Sequence, residues 1–141
     1  MKILIAYYSL EGNTKKAADE IAGNAKAAGA DVELLRIEPK EEIVCKGLFG
    51  MLKYGHRAMR ADCPELAPIS VGIEDFDEIW LGTPVWAGRP ATPVNTFIRD
   101  YPVADKVTKI FTTSKSGDDK SCIAGLKKRL PNVAETETRK S

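Results

Sequence analysis

Residues 3–14 read ILIAYYSLEGNT, an apolar run that passes abruptly into a polar loop. The apolar run does not alternate with polar residues, which is typical of a strand covered on both faces. From Thr14 the apolar residues recur with a helical period, and Gly29 stands where the end of that helix needs a cap. A second strand is predicted at 31–37, before Pro39. The spacing therefore predicts a βαβ unit with parallel strands and a right-handed crossover.

Strands and helices continue to alternate through the rest of the chain. Further strands are predicted at 77–82, 106–113 and 133–139, with a loop at 83–90. Amphipathic helices are predicted after Thr92, which is placed to act as an N-cap with Pro93 at the first helical position, and after Asp118. Because no linker or internal repeat interrupts this order, we expect one α/β domain, residues 1–141, around a parallel sheet.

Residues 40–70 follow the pattern least well. Helical spacing is shared by Val44, Leu48, Met51 and Leu52. Three glycines, Gly47, Gly50 and Gly55, each weaken a helix by up to about 1 kcal/mol. A short or broken helix is therefore predicted, followed by a loop. His56, the only histidine, lies in this segment, and a solvated surface position is favoured over a role as proton donor to a substrate.

The composition limits the classes of partner. The 141 residues include 21 Lys plus Arg and 20 Asp plus Glu, a net charge of +1, whereas a nucleic-acid surface needs a clear cationic excess. No apolar run approaches the roughly 20 residues of a membrane span, and the amino terminus lacks a signal-peptide pattern. Cys45, Cys63 and Cys122 form no CxxC pair and cannot all pair within one chain. We expect a reduced, cytoplasmic setting, without nucleic acid, stable membrane insertion or a metal site.

The loop between the first strand and the first helix has the features of an anion site. Ligands bind at the carboxyl ends of the strands in such sheets. Ser9 and Thr14 provide hydroxyls, Asn13 an amide and Gly12 a tight turn, at a helix start whose unpaired N–H groups suit a phosphate. The alternative is that Asn13 or Thr14 only caps the helix. The patterns GxxxxGK[ST] and GxGxxG are both missing, so neither nucleotide motif is supported.

The loops after the third and fourth strands are also polar or aromatic. Trp86 stands between Pro84 and Pro90, where an indole suits stacking on a planar ligand, although it could instead cover the domain. Gly88 allows close approach of the backbone. Residues 112–118 supply hydroxyls and backbone donors.

These stretches together resemble the flavodoxin family. The segments KILIAYYSLEGNTKKAADEIA (2–22) and IWLGTPVWAGRPATPVNTFI (79–98) carry the resemblance, which extends over essentially the whole chain. The first is similar to the family's phosphate loop, [ST]-x-[ST]-G-x-T, and the second to its first flavin-flanking loop. The resemblance implies a flavodoxin-like three-layer α/β sandwich, a five-stranded parallel sheet in the order 2-1-3-4-5, and FMN bound at its carboxyl edge.

The resemblance also implies the residues that hold FMN. The phosphate would be held by Ser9, Leu10, Glu11, Gly12, Asn13 and Thr14. The isoalloxazine would be flanked by Pro84, Val85, Trp86, Ala87 and Gly88, with Trp86 stacking on the ring. The second flavin loop would comprise Thr113, Ser114, Ser116 and Gly117. No side chain is assigned a catalytic role, because the cofactor performs the chemistry.

Three positions depart from the family pattern. Glu11 replaces the usual hydroxyl residue, and a carboxylate beside a phosphate is unfavourable unless it points outward. Ala87, rather than a glycine, follows Trp86, so a positive φ there would cost roughly 1 kcal/mol or more. The second flavin loop has no stacking tyrosine.

Three functions fit this reading. The first is an FMN-binding electron-transfer protein that serves redox partner proteins or a small electron acceptor. The second is an FMN-dependent NAD(P)H:quinone-type oxidoreductase, which the near-zero net charge keeps open because carriers of this family are typically acidic. The third is a flavodoxin-fold interaction module without cofactor. Residues 47–54 are expected to pack near the flavin edge; contact with a membrane surface is less favoured because the segment lacks a sustained basic face. Cys122 could have a lowered thiol pKa near a helix start, although a structural role is favoured.

The end of the chain departs from the family as well. Because the given sequence ends at Ser141, we expect the family's C-terminal helix, after the fifth strand, to be missing. Part of one sheet face is therefore expected to be uncovered and apolar, and such a patch usually marks an interface. We expect self-association through that face, as an isologous homodimer if two chains associate. The alternative is that the chain is a truncated product.

Overall fold

The computed structural model describes residues 1–43, 47–60 and 62–141, with the backbone alone at 47–49, 51, 54 and 55. Its strands are β1 (Lys2–Tyr7), β2 (Asp31–Arg36), β3 (Glu78–Trp86), β4 (Arg89–Pro90), β5 (Val107–Ser114) and β6 (Glu135–Lys140). Its helices are α1 (Asn13–Ala27), α2 (Gly47–Met59), α3 (Thr92–Asp100) and α4 (Lys120–Arg129), with a 3₁₀ turn at Ile73–Asp75.

Five parallel strands form the sheet in the order β2-β1-β3-β5-β6. If the two-residue β4 is left out of the numbering, this strand order is the order 2-1-3-4-5 that the resemblance implies. The flavodoxin-like α/β class is therefore confirmed. The additional β4 pairs antiparallel with the end of β3 and belongs to a hairpin rather than to the parallel sheet.

Both faces of the interior strand β1 are buried, as its unbroken apolar sequence predicts. On one face Ile3 and Ile5 pack against the alanine-rich side of α1. On the other face Leu4 joins a larger core that includes Phe97 of α3 and Leu126 of α4. The sheet thus forms the middle layer of three.

The chain between 83 and 90 differs from the predicted loop. β3 continues to Trp86 and turns back through Ala87 and Gly88 into β4. The hairpin escaped prediction because its turn lacks the Asn-Gly or Asp-Gly signal of two-residue hairpins. The predicted cap is also wrong: Thr92 is the first residue of α3, and Ala91 occupies the N-cap without a side-chain hydrogen bond.

Among the described residues of 40–70, the predicted short or broken helix is the single unbroken α2, Gly47–Met59. Gly50 and Gly55 both lie inside α2, which contacts β3 and β4. Val44 and Cys45 lie outside the described residues, as do the side chains of Leu48 and Met51. No helix among the described residues has the length and apolarity needed to cross a membrane.

The sheet face on which α1 packs continues past this helix toward β6, and we call this part the sheet face beyond α1. It is not the apolar surface that the sequence led us to expect. Lys109 Nζ lies over the Trp80 ring, 5.1 Å from its centroid, and the Phe111 side chain is fully buried. On β6, Arg139 pairs with Glu137 at 3.0 Å and also with Glu20 of α1. The expectation is wrong for the described residues because β6 (ETETRK) is almost entirely polar and charged.

Candidate functional site

A cavity of about 850 Å³ opens at the carboxyl ends of β1, β3 and β5. Its wall includes thirteen of the fifteen residues expected to hold FMN: Ser9, Leu10, Glu11, Asn13, Thr14, Pro84, Val85, Trp86, Ala87, Gly88, Thr113, Ser114 and Ser116. Gly12 and Gly117 do not line the cavity. Both have a positive φ, of 101° and 77°, and shape the turns that carry their neighbours.

The loop after β1 leaves the start of α1 without a side-chain cap. Gly12 occupies the N-cap in a left-handed conformation, and the described part of the chain provides no side-chain cap hydrogen bond there. Ser9 is buried, and its Oγ accepts from the Gly12 N–H at 3.1 Å, which holds the turn. Asn13 and Thr14, the first helical residues, line the cavity. Uncapped N–H groups and the positive end of the helix dipole are features that suit an anion at this end of the cavity.

A buried hydrogen bond fastens this loop to β5. Thr14 Oγ1 and Thr113 Oγ1 lie 2.8 Å apart, and both side chains are almost completely buried. Glu11, in contrast, is exposed at the cavity wall. Within the loop after β5, the Gly117 N–H donates to Ser114 Oγ at 2.9 Å. The Asp118 N–H donates to Ser116 Oγ at 3.1 Å.

The β3–β4 hairpin brings Trp86 to the cavity. The indole meets the buried Tyr8 ring edge-on, with centroids 5.7 Å apart and an interplanar angle of 88°. Ala87 has a φ of 50° and Gly88 a φ of 75°, the signs that a type I′ two-residue turn requires. The positive φ that the sequence analysis considered strained for Ala87 is therefore present in the structure.

One wall of the cavity is formed by residues that were not among the expected site residues. Leu52, His56 and Met59 of α2 line it, although only the general position of 47–54 was expected near this edge. The spacing of four and three residues is the available sequence signal, because such positions share one helix face. Lys115, Asp118 and Ser141 also line the cavity and were missed. They complete a rim with charges of both signs.

The surroundings of Cys122 are not those of an activated thiol. Its side chain is fully buried in the core, and burial, assisted by Asp119, raises the pKa of the thiol to about 12. Position near a helix start cannot offset the loss of solvent around the charged form. Cys63 is half-buried, and neither of these two thiols forms a disulfide. Among the described residues, no group of three or more His, Cys, Asp and Glu could hold a metal ion.

Comparison with known proteins agrees with this geometry. A flavoprotein from Lactobacillus acidophilus NCFM, solved in complex with FMN, superposes with a TM-score of 0.78 and 28% identity, over 97% of this chain and 92% of that one. The apo-form of a flavoprotein from the same organism superposes with a TM-score of 0.67 and 27% identity, over 99% and 93%.

A curated relative, "NAD(P)H dehydrogenase (quinone) 3" of Rhizobium meliloti (strain 1021), is 32% identical over 82% of this chain and 54% of its own length. The chain spans about half the length of the curated relatives it matches. The family model described as Flavodoxin matches residues 2–140. The chain therefore belongs to the flavodoxin family.

Proposed function

We propose that this protein binds FMN in the cavity and transfers electrons to a redox partner protein or a small acceptor. The observation that carries the proposal is that one cavity joins an uncapped helix start, after β1, to the Trp86 hairpin, after β3. An anion site and an aromatic surface in one cavity match a ligand with a phosphate and a flat ring. The volume of 850 Å³ also lies in the range of about 300–1,000 Å³ that is usual for cofactor sites.

The residues fit the cofactor as follows. Backbone N–H groups of residues 10–14, with the side chains of Ser9, Asn13 and Thr14, would hold the phosphate without a cationic side chain. Residues 84–88 and 113–117 would flank the ring, with Trp86 stacking on it. Exposed Glu11 would contribute its N–H and keep its carboxylate in solvent. When bound, FMN supplies one-electron and two-electron redox chemistry.

A second candidate is an FMN-dependent NAD(P)H:quinone-type oxidoreductase. Leu52 and Met59, 60% and 61% exposed, are apolar side chains at the cavity wall, where a small apolar acceptor could be bound. The rim combines Glu11 and Asp118 with Lys115, so it has no single sign of charge with which to attract a partner protein. The curated relative named above bears the name of this activity.

Absorption spectroscopy tests the proposal. The purified protein, or the apoprotein after addition of FMN, is expected to be yellow, with stoichiometric quenching of flavin fluorescence. A protein that stays colourless with added FMN would instead be the interaction module without cofactor. A reductive titration then separates the first two functions. Two resolved one-electron steps support a carrier, whereas a single two-electron step with turnover of NAD(P)H and a quinone supports the oxidoreductase.

The remaining parts of the proposal concern location and assembly. We propose a cytoplasmic location and a single domain of residues 1–141, because neither of the two cysteines that the structure describes forms a disulfide. A homodimer through the sheet face beyond α1 stays a prediction, and it would bury charged groups such as Arg139 and Glu137. Sedimentation velocity at micromolar concentration tests it.

A further inference from the structure

The face of α2 that lines the cavity has an unusual composition. Among the described residues, four large apolar side chains are exposed, and two of them, Leu52 and Met59, lie on this face. Exposed apolar side chains that cluster at one concave site usually mark a binding surface, whereas single scattered ones do not. His56, the only histidine of the chain, lies between them, and its ring makes no hydrogen bond to any other residue that the structure describes.

The position of α2 assigns these side chains to one end of the cavity. The helix contacts β3 and β4, the strands of the Trp86 hairpin. The N–H groups that are proposed to bind the phosphate, in contrast, lie at the start of α1. The α2 side chains therefore line the end of the cavity where the flavin ring is proposed to lie, and they add an apolar wall to it.

We propose that Leu52, His56 and Met59 form the subsite for a planar, quinone-class electron acceptor beside the flavin ring. This proposal rests on the proposed binding of FMN. Leu52 and Met59 contact the faces and edges of the acceptor ring, for which a flexible thioether is well suited. His56 donates a hydrogen bond from a ring nitrogen to a quinone carbonyl oxygen, and so orients the acceptor. His56 is thus a binding residue of the acceptor, in addition to the residues that hold the cofactor.

The first test is direct binding of menadione to the FMN-loaded, oxidised protein. Because the chain has one histidine, its imidazole gives one set of NMR resonances that need no assignment. Menadione is expected to shift these resonances in a saturable manner. The Leu52→Ala variant should weaken the binding by about fivefold to tenfold, as expected for one truncated apolar contact. Leu34→Ala is the matched control, since Leu34 is also an exposed leucine, at 40%, but lies on β2 away from the cavity.

The second test is reoxidation of the protein after photoreduction, which needs no NAD(P)H. The reduced flavin loses two electrons and two protons, and menadione gains them as its hydroquinone. Stopped-flow rates against menadione concentration should show an apparent Kd that is raised about fivefold to tenfold by His56→Phe, which keeps an aromatic ring but has no N–H donor, as expected for one lost hydrogen bond. Reoxidation by ferricyanide, a charged acceptor that gains nothing from an apolar wall, should keep its wild-type rate. The Kd of FMN should also be unchanged.

The outcomes separate the subsite from the proposed function. A protein that takes up no FMN overturns the proposed function at the loading step, and the subsite with it. A loaded protein whose histidine resonances do not move with menadione overturns the subsite alone. The same conclusion follows if His56→Phe leaves the apparent Kd, and Leu52→Ala the binding of menadione, within twofold of wild type.

Discussion

The hydroxyl oxygens of Thr14 and Thr113 lie 2.8 Å apart, although 99 residues separate them in the chain. Thr14 belongs to the first turn of α1 and Thr113 to the end of β5, so the bond fastens two walls of the cavity to each other. Because both side chains are almost fully buried, neither hydroxyl has solvent as an alternative partner.

Thr113→Val is therefore expected to destabilise the protein. The substitution keeps the shape of the side chain but leaves the buried Thr14 hydroxyl without its partner, which costs about 1–3 kcal/mol. Urea unfolding measures this loss. The double variant Thr14→Val/Thr113→Val should lose less than the sum of the single variants, because no orphaned hydroxyl remains. Strict additivity would show that the bond contributes nothing to stability.

Thr108 provides a control on the same strand. Its Oγ1 is buried without a hydrogen-bond partner, so Thr108→Val removes no bond and relieves an unsatisfied group. We expect this variant to unfold at the wild-type urea concentration or above it.

Local periodicity explains which parts of the molecule could be predicted. The strand 3–8 and the helix from Thr14 follow from the spacing of apolar residues alone, and the loop between them follows from its residue types. The α2 wall could not be predicted in the same way, because tertiary contact with β3 and β4 brings His56 to the cavity. The expectation of an apolar sheet face beside β6 was wrong. It considered only which helix would cover the sheet, and not that the side chains of β6 itself are polar and charged.

Trp86→Ala is expected to weaken FMN binding by about fivefold to 150-fold, since loss of one aromatic stacking contact removes about 1–3 kcal/mol. Titration of the apoprotein with FMN, followed by flavin fluorescence, measures the change. Trp80→Ala is the matched control: this second tryptophan packs on the α1 side of the sheet, under Lys109, and does not line the cavity. It should reduce stability but leave the Kd of FMN near the wild-type value. Equal Kd values for all three proteins would exclude stacking by Trp86.

Ala87→Gly should stabilise the hairpin. A φ of 50° costs alanine about 1–2 kcal/mol, and glycine removes this strain while it adds about 0.5–1 kcal/mol of chain entropy to the unfolded state. A net gain of about 0.5–1 kcal/mol is expected in urea unfolding. The exposed Ala134, which has no positive φ, should lose about 0.5–1 kcal/mol on the same substitution. A loss of stability in Ala87→Gly would contradict the strained turn.

Gly82→Ala should be strongly destabilising because of its neighbour Phe111. A Cβ atom at position 82 would lie 2.2 Å from the Phe111 ring, which is fully buried and cannot move aside. Overpacking of this kind costs about 1–3 kcal/mol or more. Gly23, on the exposed side of α1, has nothing within 4 Å of the same Cβ position. Gly23→Ala should therefore gain about 0.5–1 kcal/mol from helix propensity. Thermal unfolding that ranks the two variants in the opposite order would contradict the close contact of Gly82 with Phe111.

Cys122 should make the stability of the protein depend on alkaline pH. Burial, and to a smaller extent Asp119, raises the pKa of the folded-state thiol from its ordinary value of 9.0 to about 12. Above pH 9 the unfolded chain therefore ionises this thiol while the folded protein keeps it protonated. The contribution of Cys122 is fully present below the unfolded pKa and is lost as pH rises toward the folded pKa, with a slope of up to about 1.4 kcal/mol per pH unit.

The comparison that isolates this effect is wild type against Cys122→Ala, because the tyrosines and lysines that titrate in the same range are common to both proteins. The variant loses buried volume and should be less stable than wild type at neutral pH; this packing loss itself does not change with pH. Between about pH 8 and pH 10 the difference in the free energy of unfolding should shrink by about 1–2 kcal/mol, since only wild type loses the thiol contribution. Curves that stay parallel over this range would mean that the Cys122 thiol ionises as readily in the folded core as in the unfolded chain.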